Sequence, residues 1–89
     1  MGFKIKNNVL TKYTKEKGVT DIVIPDGVTE IGEYAFEECT SLQSITIPDS
    51  VTEIANDAFD GCKNLVISAP AGSYAIEYAK FRNIKFIET

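Results

Sequence analysis

From residue 19 onward two hydrophobic rhythms alternate along the chain, and the alternation itself recurs every 23 residues. In Ser44-Ile45-Thr46-Ile47-Pro48 polar and β-branched apolar residues take turns, which predicts a strand with Ile45 and Ile47 facing a core. Pro48 closes that strand, because proline brings no N–H to a ladder. Asp49-Ser50, like Asp26-Gly27 one unit earlier, has turn chemistry. Val51-Thr52-Glu53-Ile54 predicts a second short extended run with Val51 and Ile54 inward. Asn56-Asp57-Ala58-Phe59-Asp60-Gly61 then predicts a capped turn or two of helix, Ala58 permitting close approach and Phe59 filling the core.

Residues 19–41 laid over 42–64 share eleven identities, Ile22/Ile45, Ile24/Ile47, Pro25/Pro48, Asp26/Asp49, Val28/Val51, Thr29/Thr52, Glu30/Glu53, Ile31/Ile54, Ala35/Ala58, Phe36/Phe59 and Cys39/Cys62. A third unit starts at Leu65 and runs Val66-Ile67-Ser68-Ala69-Pro70 before leaving the pattern. No such unit buries its apolar face alone, so neighbours must stack and both ends need covering. Phe3 to Tyr13 reads as a hairpin turning at Asn7-Asn8, where residues tolerant of positive φ belong. After Pro70-Ala71-Gly72, Ser73 is placed to cap a helix whose covering face is Tyr74, Tyr78 and Phe81 with Ala75 and Ala79 beside them. Lys80 and Arg82 suit its last turn, Asn83 its exit, and Ile84-Lys85-Phe86-Ile87 a closing strand. The expected organisation is one domain over 1–89: hairpin cap 1–18, repeats 19–41 and 42–64, a partial repeat 65–70 and a C-terminal cap 71–89.

The pattern Ile-x-Ile-Pro-x-x-Val-x-x-Ile-x-x-x-Ala-Phe-x-x-Cys-x-x-Leu, present over residues 22–42 and 45–65, resembles the BspA-like bacterial leucine-rich repeats. The Pro-Ala-Gly-Ser-Tyr-Ala run at 70–75 is similar to the way many of those domains end. The resemblance implies a leucine-rich-repeat solenoid, α+β but mostly β: a short, curved, right-handed coil of about two and a half repeats between its hairpin and helix–strand caps. It also implies Ile-x-Ile strands on the concave face and a bacterial cell-surface or secreted setting, in some members adhesion to host or microbial surface proteins.

Charge narrows the partners. The net charge of -4 divides into +4 over residues 1–20, -10 over 21–62, where no Lys or Arg occurs, and +2 over 63–89. An acidic body repels phosphate backbones, which argues against nucleic acid. No apolar stretch approaches the roughly 20 residues that cross a bilayer, and Met1-Gly2-Phe3-Lys4 does not lead into an apolar signal core.

Little in the chain suggests catalysis. Histidine is absent, which removes the commonest general base and most zinc sites. The carboxylate pairs Glu37-Glu38 and Asp57/Asp60 fall on polar turns rather than in an apolar pocket. Asp26, Glu30, Asp49 and Glu53 form acidic ladders, but no Asp-x-Asp-x-Asp-Gly calcium loop is present, and no cofactor motif occurs. Cys39 and Cys62 occupy one repeat position and should lie in adjacent coils, as buried thiols, a disulfide or a nucleophile without a basic partner. The reading that remains is a non-catalytic protein-interaction module. Period-2 alternation assigns its binding face to Asp21, Val23, Ser44, Thr46, Val66 and Ser68. The rival is a structural spacer between neighbouring repeats or domains, with no ligand of its own.

Overall fold

The computed structural model describes residues 2–14 and 18–89; the parts of the 1–18 cap at 1 and 15–17 lie outside the described residues. The chain opens with a hairpin of β1 (Phe3–Lys6) and β2 (Val9–Tyr13). Its two-residue turn holds Asn7 at φ 53° and Asn8 at φ 67°. Positive φ at both central residues matches the twist of an antiparallel pair, and asparagine tolerates it better than branched residues do.

Each 23-residue unit then contributes one strand to each of two sheets. The Ile-x-Ile runs give β3 (Asp21–Val23) and β5 (Ser44–Thr46), and the Val-Thr-Glu-Ile runs give β4 (Glu30–Ile31) and β6 (Glu53–Ile54). The partial third unit gives β7 (Val66–Ala69), followed by α1 (Tyr74–Arg82) and β8 (Lys85–Glu88). One sheet has the order β3-β5-β7-β8, all parallel; the other runs β1-β2-β4-β6. Equivalent residues pair directly, Ile22 with Ile45 and Ile31 with Ile54. The register is thus the sequence repeat written in space. A slip by one residue would turn every buried isoleucine to solvent.

Between the sheets the repeat closes on itself through side chains. Ile24, Val28, Ile31, Ala35, Phe36 and their counterparts Ile47, Val51, Ile54, Ala58 and Phe59 form one buried cluster. Along its axis the rings stack one per unit. Tyr13 lies on Phe36 at 5.3 Å between centroids, and Phe36 on Phe59 at 5.2 Å with planes 15° apart. Phe3 extends the column at one end at 5.6 Å, and Tyr78 at the other at 6.2 Å. Ring spacing therefore follows strand spacing, about 4.8 Å, and each contact adds about 0.5–1.5 kcal/mol beyond the area it buries.

Two expectations need correction. The segment Asn56–Gly61 and its equivalent form successive tight turns, not helix. Their amides reach only three residues back, as in Asp60 to Asp57 (3.2 Å), or across to the next unit, as in Phe36 N–H to Ala58 O (2.8 Å) and Glu38 N–H to Asp60 O (2.7 Å). Pairing between units wins over helix formation because one or two turns of helix barely offset nucleation. Left-handed residues interrupt these turns, Tyr34, Glu38 and Gly61 among them. At Gly61 a Cβ would lie 3.1 Å from Glu38 Cα, so glycine is needed for space as well as for φ.

The second correction concerns α1. Its covering face is Ala75, Ile76, Tyr78 and Ala79, while Phe81 is 74% exposed and Tyr74 is at the edge of the contact. The seven-residue step from Tyr74 to Phe81 predicts one stripe, but Tyr74 meets β6 at Ile54 and Lys80 lies over Phe86 of β8, which leaves Phe81 facing outward. Tyr74 Oη accepts the Ile54 N–H (3.4 Å), and Tyr78 Oη donates to Ala55 O (2.9 Å). The two tyrosines thereby tie the helix to β6 and to the turn that follows it. Ser73 occupies the N-cap position, but its buried hydroxyl makes no hydrogen bond to the described residues. Asn83 takes the left-handed C-cap as expected.

A chain of this length has roughly 4–13 kcal/mol of stability. Phe36→Ala, which removes the central ring of the column, is expected to cost about 3–5 kcal/mol, and Phe59→Ala a similar amount. Phe81→Ala should change stability by less than about 0.5 kcal/mol. Urea unfolding followed by circular dichroism checks all three, and a costly Phe81→Ala would mean that its exposed position is wrong.

Candidate protein-binding face

The six residues assigned to a binding face all lie on the outer surface of the β3-β5-β7-β8 sheet, because their inward neighbours Ile22, Ile45 and Ile67 are buried. They fall into two rows across the strands. Asp21, Ser44 and Val66 make one row, and Val23, Thr46 and Ser68 the other. In the first, Asp21 Oδ1 accepts a hydrogen bond from Ser44 Oγ at 2.6 Å, while its Oδ2 accepts one from Thr20 Oγ1 at 3.3 Å. The second row starts with Val23, 68% exposed.

Strand β8 adds two residues that sequence reasoning missed. Lys85 pairs with Val66 and Ile87 with Ser68, so both rows gain a fourth member. Ile87 is 58% exposed, giving the second row an aliphatic residue at each end and Thr46 and Ser68 between. The closing strand was legible in the sequence, but its register was not. The helix inserted before it breaks the 23-residue period, so no offset aligned Lys85 with Val66. The inward partner of Ile67 is Phe86, and Lys80 Nζ lies 5.8 Å from its ring centre.

The opposite side of the molecule carries a group of acidic residues. Glu30, Glu33, Glu53 and Asp57 line an open depression of about 600 Å³. Glu30 sits directly beside Glu53 in the parallel ladder, a like-charge pairing that costs stability. Among the described residues no group of three His, Cys, Asp or Glu side chains is arranged to hold a metal ion. The Asp57 carboxylate beside Tyr34, with a smaller contribution from lost hydration, raises the Tyr34 hydroxyl above its ordinary value.

Cys39 and Cys62 sit in adjacent units as thiols, not as a disulfide. Cys62 Sγ donates to Phe36 O at 3.1 Å, and Cys39 Sγ to Glu37 O at 3.8 Å. Burial is the main cause that pushes the Cys62 thiol up to about 11, which leaves almost no thiolate at neutral pH. Burial likewise pushes Tyr78 up to about 12. Neither group is prepared for nucleophilic or base chemistry.

Strands that recur in register, bonded unit to unit and covered by hairpin and helix, define a repeat protein. The chain belongs to the BspA-type leucine-rich-repeat family: the profile described as a BspA type leucine rich repeat region (6 copies) matches residues 4–89. The match takes in β2 and β8 as well as the two regular units, so the degenerate ends are part of the same pattern. No curated protein and no solved structure matches the chain. No helix among the described residues is long and apolar enough to cross a membrane.

The raised acidities set the direction of an alkaline effect. The folded state holds the Cys62 and Tyr78 protons more tightly than the unfolded chain, so their stabilisation is complete below the unfolded values of 9.0 and 10.0 and is lost as pH rises towards about 11 and 12. The melting temperature is therefore expected to fall above about pH 9, these two groups adding no pH dependence below that, and Cys62→Ala should remove the earlier part of the fall. A thermal-melt series in wild type and variant measures it. Glu53→Lys, which replaces a like-charge neighbour of Glu30 by an opposite one, should stabilise the fold by about 0.5 kcal/mol at low salt, with the gain shrinking as salt is added.

Proposed function

We propose that this chain is a non-catalytic protein-interaction module that binds a protein partner through the outer face of the β3-β5-β7-β8 sheet. The observation that supports this reading is the pair of four-residue rows held on a ladder, one ending in Asp21 and Lys85 and the other in exposed Val23 and Ile87. Small polar residues between aliphatic ends suit a broad, shallow contact. Without Trp or Arg in the two rows, any one contact is weak, and affinity grows with the number of units engaged. In this reading the stacked units form a short right-handed solenoid of about two and a half repeats. Its Ile-x-Ile strands lie on the concave side, between caps spanning 1–18 and 71–89. The family setting supports a place on a bacterial surface or in a secreted protein, with adhesion to another protein as the role.

Thr46→Arg combined with Ser68→Glu tests the face at its centre, where neither side chain makes a hydrogen bond that holds the fold. The double variant should melt within about 0.5 kcal/mol of wild type. It should also fail to retain surface or matrix proteins that the wild-type domain captures as bait. Equal retention by both would exclude the face. No specific capture by the wild type would instead favour a spacer without a ligand of its own.

A further inference from the structure

The two ends of the molecule differ in their sheet edges, and the N-terminal edge shares only Asp21 and Val23 with the binding face. At the N-terminal end the β1–β2 hairpin extends its sheet two strands beyond β4, whereas β3, in the same unit as β4, is the last strand of its own sheet. The hairpin therefore overhangs β3 by about two strand spacings, roughly 10 Å. Beneath the overhang runs a groove of about 240 Å³, walled by Gly2, Phe3 and Tyr13 on the hairpin and by Val19 and Ile22 beside the strand. Ile24 N–H is spent on Thr46 O (2.9 Å), so by alternation the N–H groups of Asp21 and Val23 point the other way, to an edge that no described strand pairs. Asp21 and Val23 are exposed at that edge.

We infer that this notch is a strand-addition site, and that its occupant is an extended segment of a partner protein running parallel to β3. The chemistry of the occupant follows from the ladder it would continue. Opposite Ile22 it needs an apolar residue, large enough to enter the groove against Phe3 and Tyr13. Opposite Val23 it needs an aliphatic residue, and opposite the Asp21 carboxylate a cation. Lys4, Lys6 and Lys12 on the hairpin allow that one cation and disfavour a run of them. Main-chain bonds to the edge supply affinity and the alternate side chains supply selectivity.

A second folded copy does not meet these requirements. Its exposed edge strand β8 has the right residues, since in the common register Lys85 would face Asp21, Phe86 Ile22 and Ile87 Val23. But α1 packs on β7 and β8 in the layer that the hairpin fills at the other end. Bringing that β8 beside β3 would drive the helix, about 10 Å across, into the overhanging hairpin. A detached strand carries no such obstacle.

The test uses a peptide of residues 83–89, Asn-Ile-Lys-Phe-Ile-Glu-Thr, titrated into the full chain and followed by amide chemical shifts. Saturable shifts at Asp21, Ile22 and Val23 are expected. Val23→Pro deletes an edge donor while sparing the Ile24 bond to β5, and should weaken binding by about tenfold, the worth of one main-chain hydrogen bond or slightly more. Asp21→Lys, which leaves the edge amides in place, should weaken it as well by opposing the peptide lysine. Thr46→Arg with Ser68→Glu should leave it unchanged, so the notch and the outer face fail independently. Three outcomes overturn the inference. They are no saturable shift at the β3 amides, shifts centred on Thr46 and Ser68 instead, or shifts of the β3 amides that appear on concentrating the chain alone, which would assign the edge to a second copy.

Discussion

Stacking of one unit on the next is the interaction on which everything else in this molecule depends, and the aromatic column is its clearest expression. A single unit has two or three strand residues per sheet and a set of tight turns, too little to bury its own isoleucines. Placed over its neighbour, the same unit pairs two strands and lays Phe36 on Phe59 in one step. The turns contribute as well, since the Phe36 and Glu38 amides find acceptors only in the following unit. Backbone and core are thus satisfied by the same neighbour, and loss of stacking removes both together.

That dependence explains the forms of the two ends. At the N-terminus Tyr13 takes the ring position 23 residues before Phe36, although the residues around it no longer follow the repeat. The strand before it turns back as a hairpin and gives the sheet an antiparallel, lysine-bearing edge, a form that discourages addition of further strands. At the C-terminus the column ends in Tyr78, whose hydroxyl lies within hydrogen-bond distance of the turn carbonyls of Ala55 and Asn56 (2.9 and 3.3 Å) and ties the helix to the last turn. Helix α1 therefore closes the β1-β2-β4-β6 sheet, while the other sheet continues to β8.

Much of this was legible in the sequence, wherever the period held. Ile22, Ile24, Ile45 and Ile47 announced buried strand positions, Asn7-Asn8 announced the hairpin, and residues 22–65 carried the family pattern that the profile match identifies. What escaped lay where neighbours rather than local preference decide. The turns around Phe36 and Phe59 read as helix because Asn56 and Gly61 look like caps, but cross-unit hydrogen bonds were invisible in one unit alone. Phe81 read as buried because its spacing from Tyr74 is helical, yet the positions of β6 and β8 determine which stripe is covered. Tyr13 was a weaker omission: an offset of 23 from Phe36 was available, hidden by a hairpin that is two residues short of the repeat. The six outer-face residues followed from alternation, and Lys85 and Ile87 did not, because the helix between β7 and β8 removed the period that would have aligned them.

The same constraint separates what this surface can do from what it cannot. The interior of the ladder is filled by isoleucines and rings, and the acidic depression lies on the sheet opposite the outer face. Under the proposed function, recognition falls to rows of side chains that the backbone holds one strand spacing apart. Such rows lose little conformational entropy on binding, because Ser44, Thr46, Val66 and Ser68 have few rotamers to give up. Each contact is small, and the advantage comes from presenting many of them at a fixed interval. The repeat that makes the fold possible therefore also fixes the interval at which these side chains are presented, and under the proposed reading the number of stacked units, more than any single residue, sets how strongly the face holds a partner.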